Sequence, residues 1–273
     1  MKNKNISYRS SDLLNKLNES GKTFFSVKDA VRLLKITYSS SILELLSAMT
    51  RRGLIMRIKD GLYHIIPYEK NSNEYFPNWH LTAEALAGER EYYLGFYTAL
   101  DIHGLLTQPS LVEQIVVKKR VIPQEYKVKN VKFEIITYNN SHFFGFKKIW
   151  IDDYNKINCS DIEKTIIDCL YKPNYANGIN ELIKALYKIS EKINSEKMIR
   201  YLEMFDTQVV YKRLGFILQN LGIQQTLTKE IKALISNSYT SLDPSLPQKG
   251  KHNSDWKILD NIEISSAIKS IET

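Results

Sequence analysis

Cys159 and Cys169 are the only cysteines in this 273-residue chain. Two thiols cannot supply a four-ligand zinc site between them and are too few for a disulfide scaffold, so both are expected to be buried. No apolar run reaches the roughly 18 residues that span a bilayer. The opening Met1-Lys2-Asn3-Lys4-Asn5 lacks the apolar stretch of a signal peptide. A cytoplasmic location, with no membrane partner, is the expectation. No repeat of fixed period is present, which argues against a solenoid.

Signatures of catalysis are equally sparse. Gly21-Lys22-Thr23 has the ending of a phosphate-binding loop, but Lys16 stands where the first glycine of that motif belongs, and a helical pattern precedes it. Glu125-Tyr126-Lys127 has the Glu-x-Lys spacing of metal-dependent nucleases, yet Pro123 spoils the strand such a motif requires. His64, His80, His103, His142 and His252 are scattered without metal-ligand spacing, and Asp152-Asp153 reads as a strand ending in solvent. The expectation is a chain that is not an enzyme, with no catalytic residue, no metal ligand and no cofactor.

What the chain does have is an apolar fraction of 43% beside 25% charged residues, the balance of a folded protein with a sizeable core. Its length suits one large domain or two ordinary ones. Charge is distributed unevenly. Residues 1–70 hold 13 Lys and Arg against 6 Asp and Glu, a net of +7, whereas residues 71–273 have a net of only +1. Arg9, Arg32, Arg51, Arg52 and Arg57 fall in that first stretch, and the guanidinium group is suited to phosphates and guanine edges. A compact basic module points to nucleic acid.

Within residues 1–70 the spacing predicts three short helices and then two strands. The first spans about Ser11 to Glu19, with Leu13, Leu14 and Leu17 on one face. The second follows Ser26 as N-cap, with Val27, Ala30, Val31 and Leu34 as its apolar stripe. The third opens among the hydroxyls of Tyr38, Ser39, Ser40 and Ser41. Its Ile42, Leu45, Leu46 and Met49 fall at i, i+3, i+4 and i+7, leaving Ser40, Glu44, Ser47 and Arg51 to face outward. Leu54–Ile58 and Leu62–Ile66 flank Asp60-Gly61, a strong hairpin signal. Three helices and a hairpin make a winged helix-turn-helix, whose second motif helix enters the major groove while the wing lies over the backbone. The candidate DNA contacts are Ser39, Ser40, Ser41, Glu44, Ser47, Arg51 and Arg52 on the third helix, with Arg57 and Lys59 on the wing.

Pro67 to Pro77 is polar and aperiodic and reads as a linker, placing a boundary near residue 70. Beyond it, Thr82–Arg90 and Glu91–Leu100 read as helices, with Gly95 allowing close packing. Gln114–Lys118, Lys132–Tyr138 and Phe144–Ile151 read as strands of a small sheet over about 110–155. Ser160-Asp161-Ile162-Glu163 reads as a capping box, and helical periodicity continues to about residue 236. Leu242 to Trp256 is irregular. The expected fold class is α+β: a winged helix-turn-helix over 1–70, then a mixed α/β domain over 71–273 with a mostly helical C-terminal third.

Several motifs taken in order carry a family resemblance. Arg51-Arg52-Gly53-Leu54-Ile55 with Gly61-Leu62-Tyr63, Tyr92-Tyr93-Leu94-Gly95 with Ala99-Leu100, Ser160 to Asp168, and Leu242-Asp243-Pro244 with Trp256 and Asn261 resemble AbiEi-type antitoxins. These are transcriptional regulators of abortive-infection, phage-defence toxin-antitoxin systems of type IV. The resemblance covers most of the chain. It implies a winged-helix domain that represses its own operon by binding inverted repeats, with two copies per operator. It also implies a C-terminal domain that counteracts a cognate AbiEii-like nucleotidyltransferase toxin, often without a stable complex. Lys164 departs from the Glu-Arg-Thr version of the helix motif, and a lysine there lacks the bidentate fork of arginine.

The function expected on this basis is a DNA-binding repressor and antitoxin. Its alternatives are a metal-dependent defence nuclease with a winged-helix domain and a transcription factor that senses a small ligand.

Overall fold

A computed structural model describes residues 6–37, 40–106 and 108–272 of the chain. The Ser7 side chain caps α1 (Tyr8–Glu19), which buries Leu13 and Leu17 one turn apart. A strand not expected from the sequence, β1 (Phe24–Ser26), then leads into α2 (Val27–Leu34). Ser26 and Asp29 form a reciprocal capping box at that helix start, satisfying two backbone donors. The third helix, α3 (Ser40–Arg52), buries Ile42, Leu46 and Met49, and Gly53 with φ +74° ends it. The hairpin of β2 (Ile55–Lys59) and β3 (Leu62–Ile65) follows, turning at Asp60-Gly61. β3 is the central strand of the order β1-β3-β2, all antiparallel. Three helices around Leu13, Leu17, Phe25, Ala30, Ile42, Leu46 and Met49, closed by a hairpin, make a winged helix. Truncating any one of these leucines to alanine costs about 2–5 kcal/mol.

The stretch 67–77 is no slack linker. Tyr75 returns to the hairpin, where its hydroxyl lies 3.0 Å from His64 Nε2 and the two rings stack. After it comes α4 (Trp79–Ala87). The chain divides into two compact units after Leu86, where the sequence suggested a division near residue 70, and the first unit also takes in Tyr126–Asn130. Lys129 from that segment donates to the carbonyls of Asn73 (2.9 Å) and Tyr75 (2.5 Å). Polar composition concealed this because backbone carbonyls, with no sequence signal of their own, supply the anchoring.

In the second unit the expected buried helix over Glu91–Leu100 is instead β4 (Tyr92–Leu94) followed by α5 (Phe96–Ile102), with Gly95 as the N-cap between them. A Cβ on Gly95 would stand 3.0 Å from both the Tyr93 ring and Val116, which explains the glycine. Five further strands follow along the chain: β5 (Val112–Val117), β6 (Glu125–Val128), which but for Glu125 belongs to the first unit, β7 (Val131–Thr137), β8 (Phe146–Trp150) and β9 (Lys156–Ser160). Within the second unit the order is β7-β5-β4-β9-β8, and the sheet is mixed, since β5 pairs β7 and β4 pairs β9 in parallel while β8 pairs β9 antiparallel.

Helices α6 (Ile162–Tyr171), α7 (Ile179–Ile189), α8 (Ser195–Phe205), α9 (Gln208–Leu221) and α10 (Gln225–Lys232) build the C-terminal part. The N-cap of α6 is Asp161 and not Ser160, which ends β9 and bonds Thr165 (2.7 Å). The irregular segment Leu242 to Trp256 contains one strand, β11 (Lys251–Asn253), of a small sheet whose other strands, β10 (Thr240–Ser241) and β12 (Ile258–Asp260), flank it, and α11 (Ile264–Glu272) follows. Asp243 accepts from the backbone N–H of Ile179 at the start of α7, and Asn261 bonds both the N–H and the carbonyl of Asp243. Trp256 is fully buried against Gly215 of α9. The chain is thus α+β with a helical C-terminal part. Both cysteines are buried free thiols, and burial pushes Cys159 up to about 12. Among the described residues no helix is long and apolar enough to cross a membrane.

Candidate nucleic-acid interface

The apolar stripe of α3 fixes which side faces out. With Ile42, Leu46 and Met49 fully buried, Ser40, Ser41, Glu44, Ser47 and Arg51 are all exposed. Arg52, one residue further round, is half-buried. Ser39, and Tyr38 beside it, lie outside the described residues. Six of the expected contacts on this helix are therefore described, and five of them share the solvent-facing side.

The wing residues differ from one another. Arg57 is exposed and pairs with Asp60 across the hairpin turn; both are open to water, with side-chain exposures of 55% and 95%. Such a pair contributes little and is free to exchange one anion for another. Lys59 is half-buried, and its Nζ donates to the Leu86 carbonyl (3.2 Å) and stands 5.2 Å from the centre of the Tyr126 ring. A bulge between Arg57 and Lys59 turns the two side chains differently, which strand alternation alone does not foretell. Lys59 is held within its own unit and not presented as an open phosphate contact. Other cations of the first unit do lie on the surface: Arg9, Lys28, Arg32 and Lys35 are all exposed.

Two polar arrangements had no sequence signal strong enough to single them out. His64 is buried in the central strand, its ring against Phe24 and Tyr75, and burial lowers its pKa to about 4. The imidazole is neutral there. In the second unit α6 carries a buried ionic network. Lys164 bonds Asp168 one turn along the helix, with both side chains fully buried, and Tyr93 donates to Asp168 (3.0 Å). The Lys164 ammonium lies within 4.9–5.4 Å of the ring centres of Tyr93, Tyr138, Phe144 and Phe205. Burial pushes Lys164 down and Asp168 up, and each partner's charge opposes the other's shift. Glu163 accepts from Lys197 Nζ (2.8 Å) and the Asn194 N–H (3.0 Å). These groups are occupied by one another, so the motif Ser160–Asp168 serves to anchor α6. Residues with i, i+4 opposite charges on an otherwise apolar helix were the one available hint.

Among the described residues no group of three or more His, Cys, Asp or Glu side chains is placed to hold a metal ion. The Glu-x-Lys triplet does lie on a strand, β6, despite Pro123, and its Glu125 pairs with Lys132 (3.0 Å).

No family model matches the chain, and no curated protein matches it. Among solved structures it is similar to the crystal structure of the Rv2827c protein from Mycobacterium tuberculosis, with 12% sequence identity, a TM-score of 0.74, and coverage of 100% of this chain and 97% of that one. At that identity the likeness shows the fold, and it shows it over the whole chain.

Proposed function

We propose that the chain is a sequence-specific DNA-binding protein that represses its own operon and acts as the antitoxin of a phage-defence toxin-antitoxin pair. The observation that carries the DNA-binding part is the exposed polar face of α3 in a winged-helix unit, ending in Arg51 and flanked by the exposed Arg57 of the wing. A helix of this kind fits the major groove, and surface cations supply the salt-dependent attraction to phosphate. The antitoxin part is supported by the order of AbiEi-like motifs. Its partner would be an AbiEii-like nucleotidyltransferase, and the operator would be an inverted repeat occupied by two copies.

Both parts are tested separately. The purified chain should bind duplex from upstream of its own gene more tightly than random duplex, with affinity falling steeply as salt rises; equal, salt-insensitive affinities would overturn DNA recognition. Co-expression with a neighbouring nucleotidyltransferase frame should relieve growth arrest. Arrest that persists despite soluble, folded antitoxin would overturn the second part and leave the first standing.

A further inference from the structure

The base edges that α3 meets follow from the chemistry of its outward face, an inference that rests on the DNA-binding reading above. At about 100° per residue, Ser47 and Arg51 lie within about 20° of Ser40, Glu44 lies about 40° to one side, and Leu43 about 60° to the other. All five are exposed, Leu43 by 43% despite its apolar side chain. Arg51 is about 16 Å further along the helix axis than Ser40, at about 1.5 Å per residue. The first two turns therefore present hydroxyls, one carboxylate and one isobutyl group. They present no guanidinium and no ammonium.

That composition discriminates among bases. Guanine offers only acceptors, O6 and N7, in the major groove and is read chiefly by Arg or Lys. A carboxylate facing those atoms is repelled. Adenine places an N7 acceptor beside its N6 amino group, which suits an amide that both donates and accepts. Cytosine offers the N4 amino donor with no adjacent acceptor on the same base, which suits a group that can only accept. Thymine adds a methyl group that an exposed leucine covers. We propose that α3 reads its operator through pyrimidines: Glu44 accepts from a cytosine N4 amino group, and Leu43 packs on a thymine methyl at a neighbouring base pair. Glu44 also repels phosphate, so it weakens binding to every duplex that lacks the cytosine. Specificity is gained at the expense of general affinity, which the exposed cations of the same unit restore.

The test is selection of duplexes from a random-sequence library by the full-length chain, its Glu44→Gln variant and its Leu43→Ala variant. Both substitutions are at exposed positions, and matching thermal melts establish that the variants are folded. The wild type should select a cytosine that Glu44→Gln no longer prefers, with a loss of about tenfold in discrimination at that base pair. The same variant should bind random duplex more tightly than the wild type. Replacing thymine by uracil in the selected site should weaken the wild type several-fold and leave Leu43→Ala unaffected. A selected site whose every position is unchanged by Glu44→Gln, or whose thymines all tolerate uracil, overturns the pyrimidine reading while leaving DNA recognition intact. A wild type that selects no sequence at all overturns the DNA-binding reading itself, and this inference with it.

Discussion

Lys164 Nζ meets the Asp168 carboxylate one turn along α6, and neither side chain is exposed to water. Removing two charges from water costs several kcal/mol per ion, offset here by their attraction, by the Tyr93 hydroxyl and by four aromatic rings around the ammonium. A network of this kind is more sensitive to losing one member than to losing both. Lys164→Met should destabilise the second unit by about 3–5 kcal/mol, because Asp168 is then left buried and unpaired. The double variant Lys164→Met/Asp168→Leu should lose less than that single variant. Urea unfolding monitored by the second unit's transition measures both, and a double variant worse than the single would show that packing, not charge, dominates the site.

His64 gives the first unit a pH dependence of defined sign. Its folded pKa, about 4, lies below the ordinary 6.5, so the unfolded chain takes up a proton that the folded one resists. The associated stability is complete above pH 6.5 and is lost as pH falls toward 4, by about 3 kcal/mol over that window. His64→Phe preserves the ring contacts with Phe24 and Tyr75 while removing the titration. Unfolding free energies at pH 7 and pH 4.5 should therefore diverge more in the wild type than in the variant. Equal losses in both would place the acid sensitivity elsewhere.

Arg57 and Lys59, two residues apart on the wing, should separate cleanly in DNA-binding assays. Arg57→Ala should lower the slope of log affinity against log salt by roughly 0.9, the contribution of one phosphate contact. Lys59→Ala should leave that slope unchanged and lower stability by about 1 kcal/mol, since its ammonium is engaged by the Leu86 carbonyl and the Tyr126 ring. A reduced slope in Lys59→Ala would make that lysine a phosphate contact after all.

Gly215 sits in α9, where alanine would be the better helix former, yet a Cβ there would overlap the Trp256 ring. Gly215→Ala should therefore destabilise the protein by about 1–3 kcal/mol. Thermal unfolding measures it, and a stabilised variant would mean that the indole can retreat despite its bond from Nε1 to Gln219 Oε1 (2.6 Å).

The parts of the fold legible in the sequence are those set by neighbours along the chain. Ile42, Leu46 and Met49 mark the buried side of α3 by spacing alone, Asp60-Gly61 marks the hairpin, and Ser26 marks the start of α2. Elements defined by distant partners were not legible. β1 is a strand because Phe24 pairs with His64, and β9 is held in the sheet by β4, where Leu94 pairs with Cys159. Tyr92–Leu94 is apolar throughout, so its pattern fits a buried helix as well as the strand that pairing with β5 makes of it. At the candidate interface, helix periodicity gave the outward face of α3. The burial of Lys59 depends on Tyr126, which lies 67 residues away in sequence, and no local rule supplies that.

The first unit is discontinuous in sequence, completed by Tyr126–Asn130 after some forty residues that belong to the second. Recombination that moved residues 1–86 alone into another gene would carry off a winged helix stripped of the aromatic cover over Lys59 and of the lysine that anchors Asn73 and Tyr75. The winged-helix unit of this chain is therefore not a transferable cassette. Its inheritance is tied to that of the remaining sequence, and a functional chimera has to exchange both stretches together.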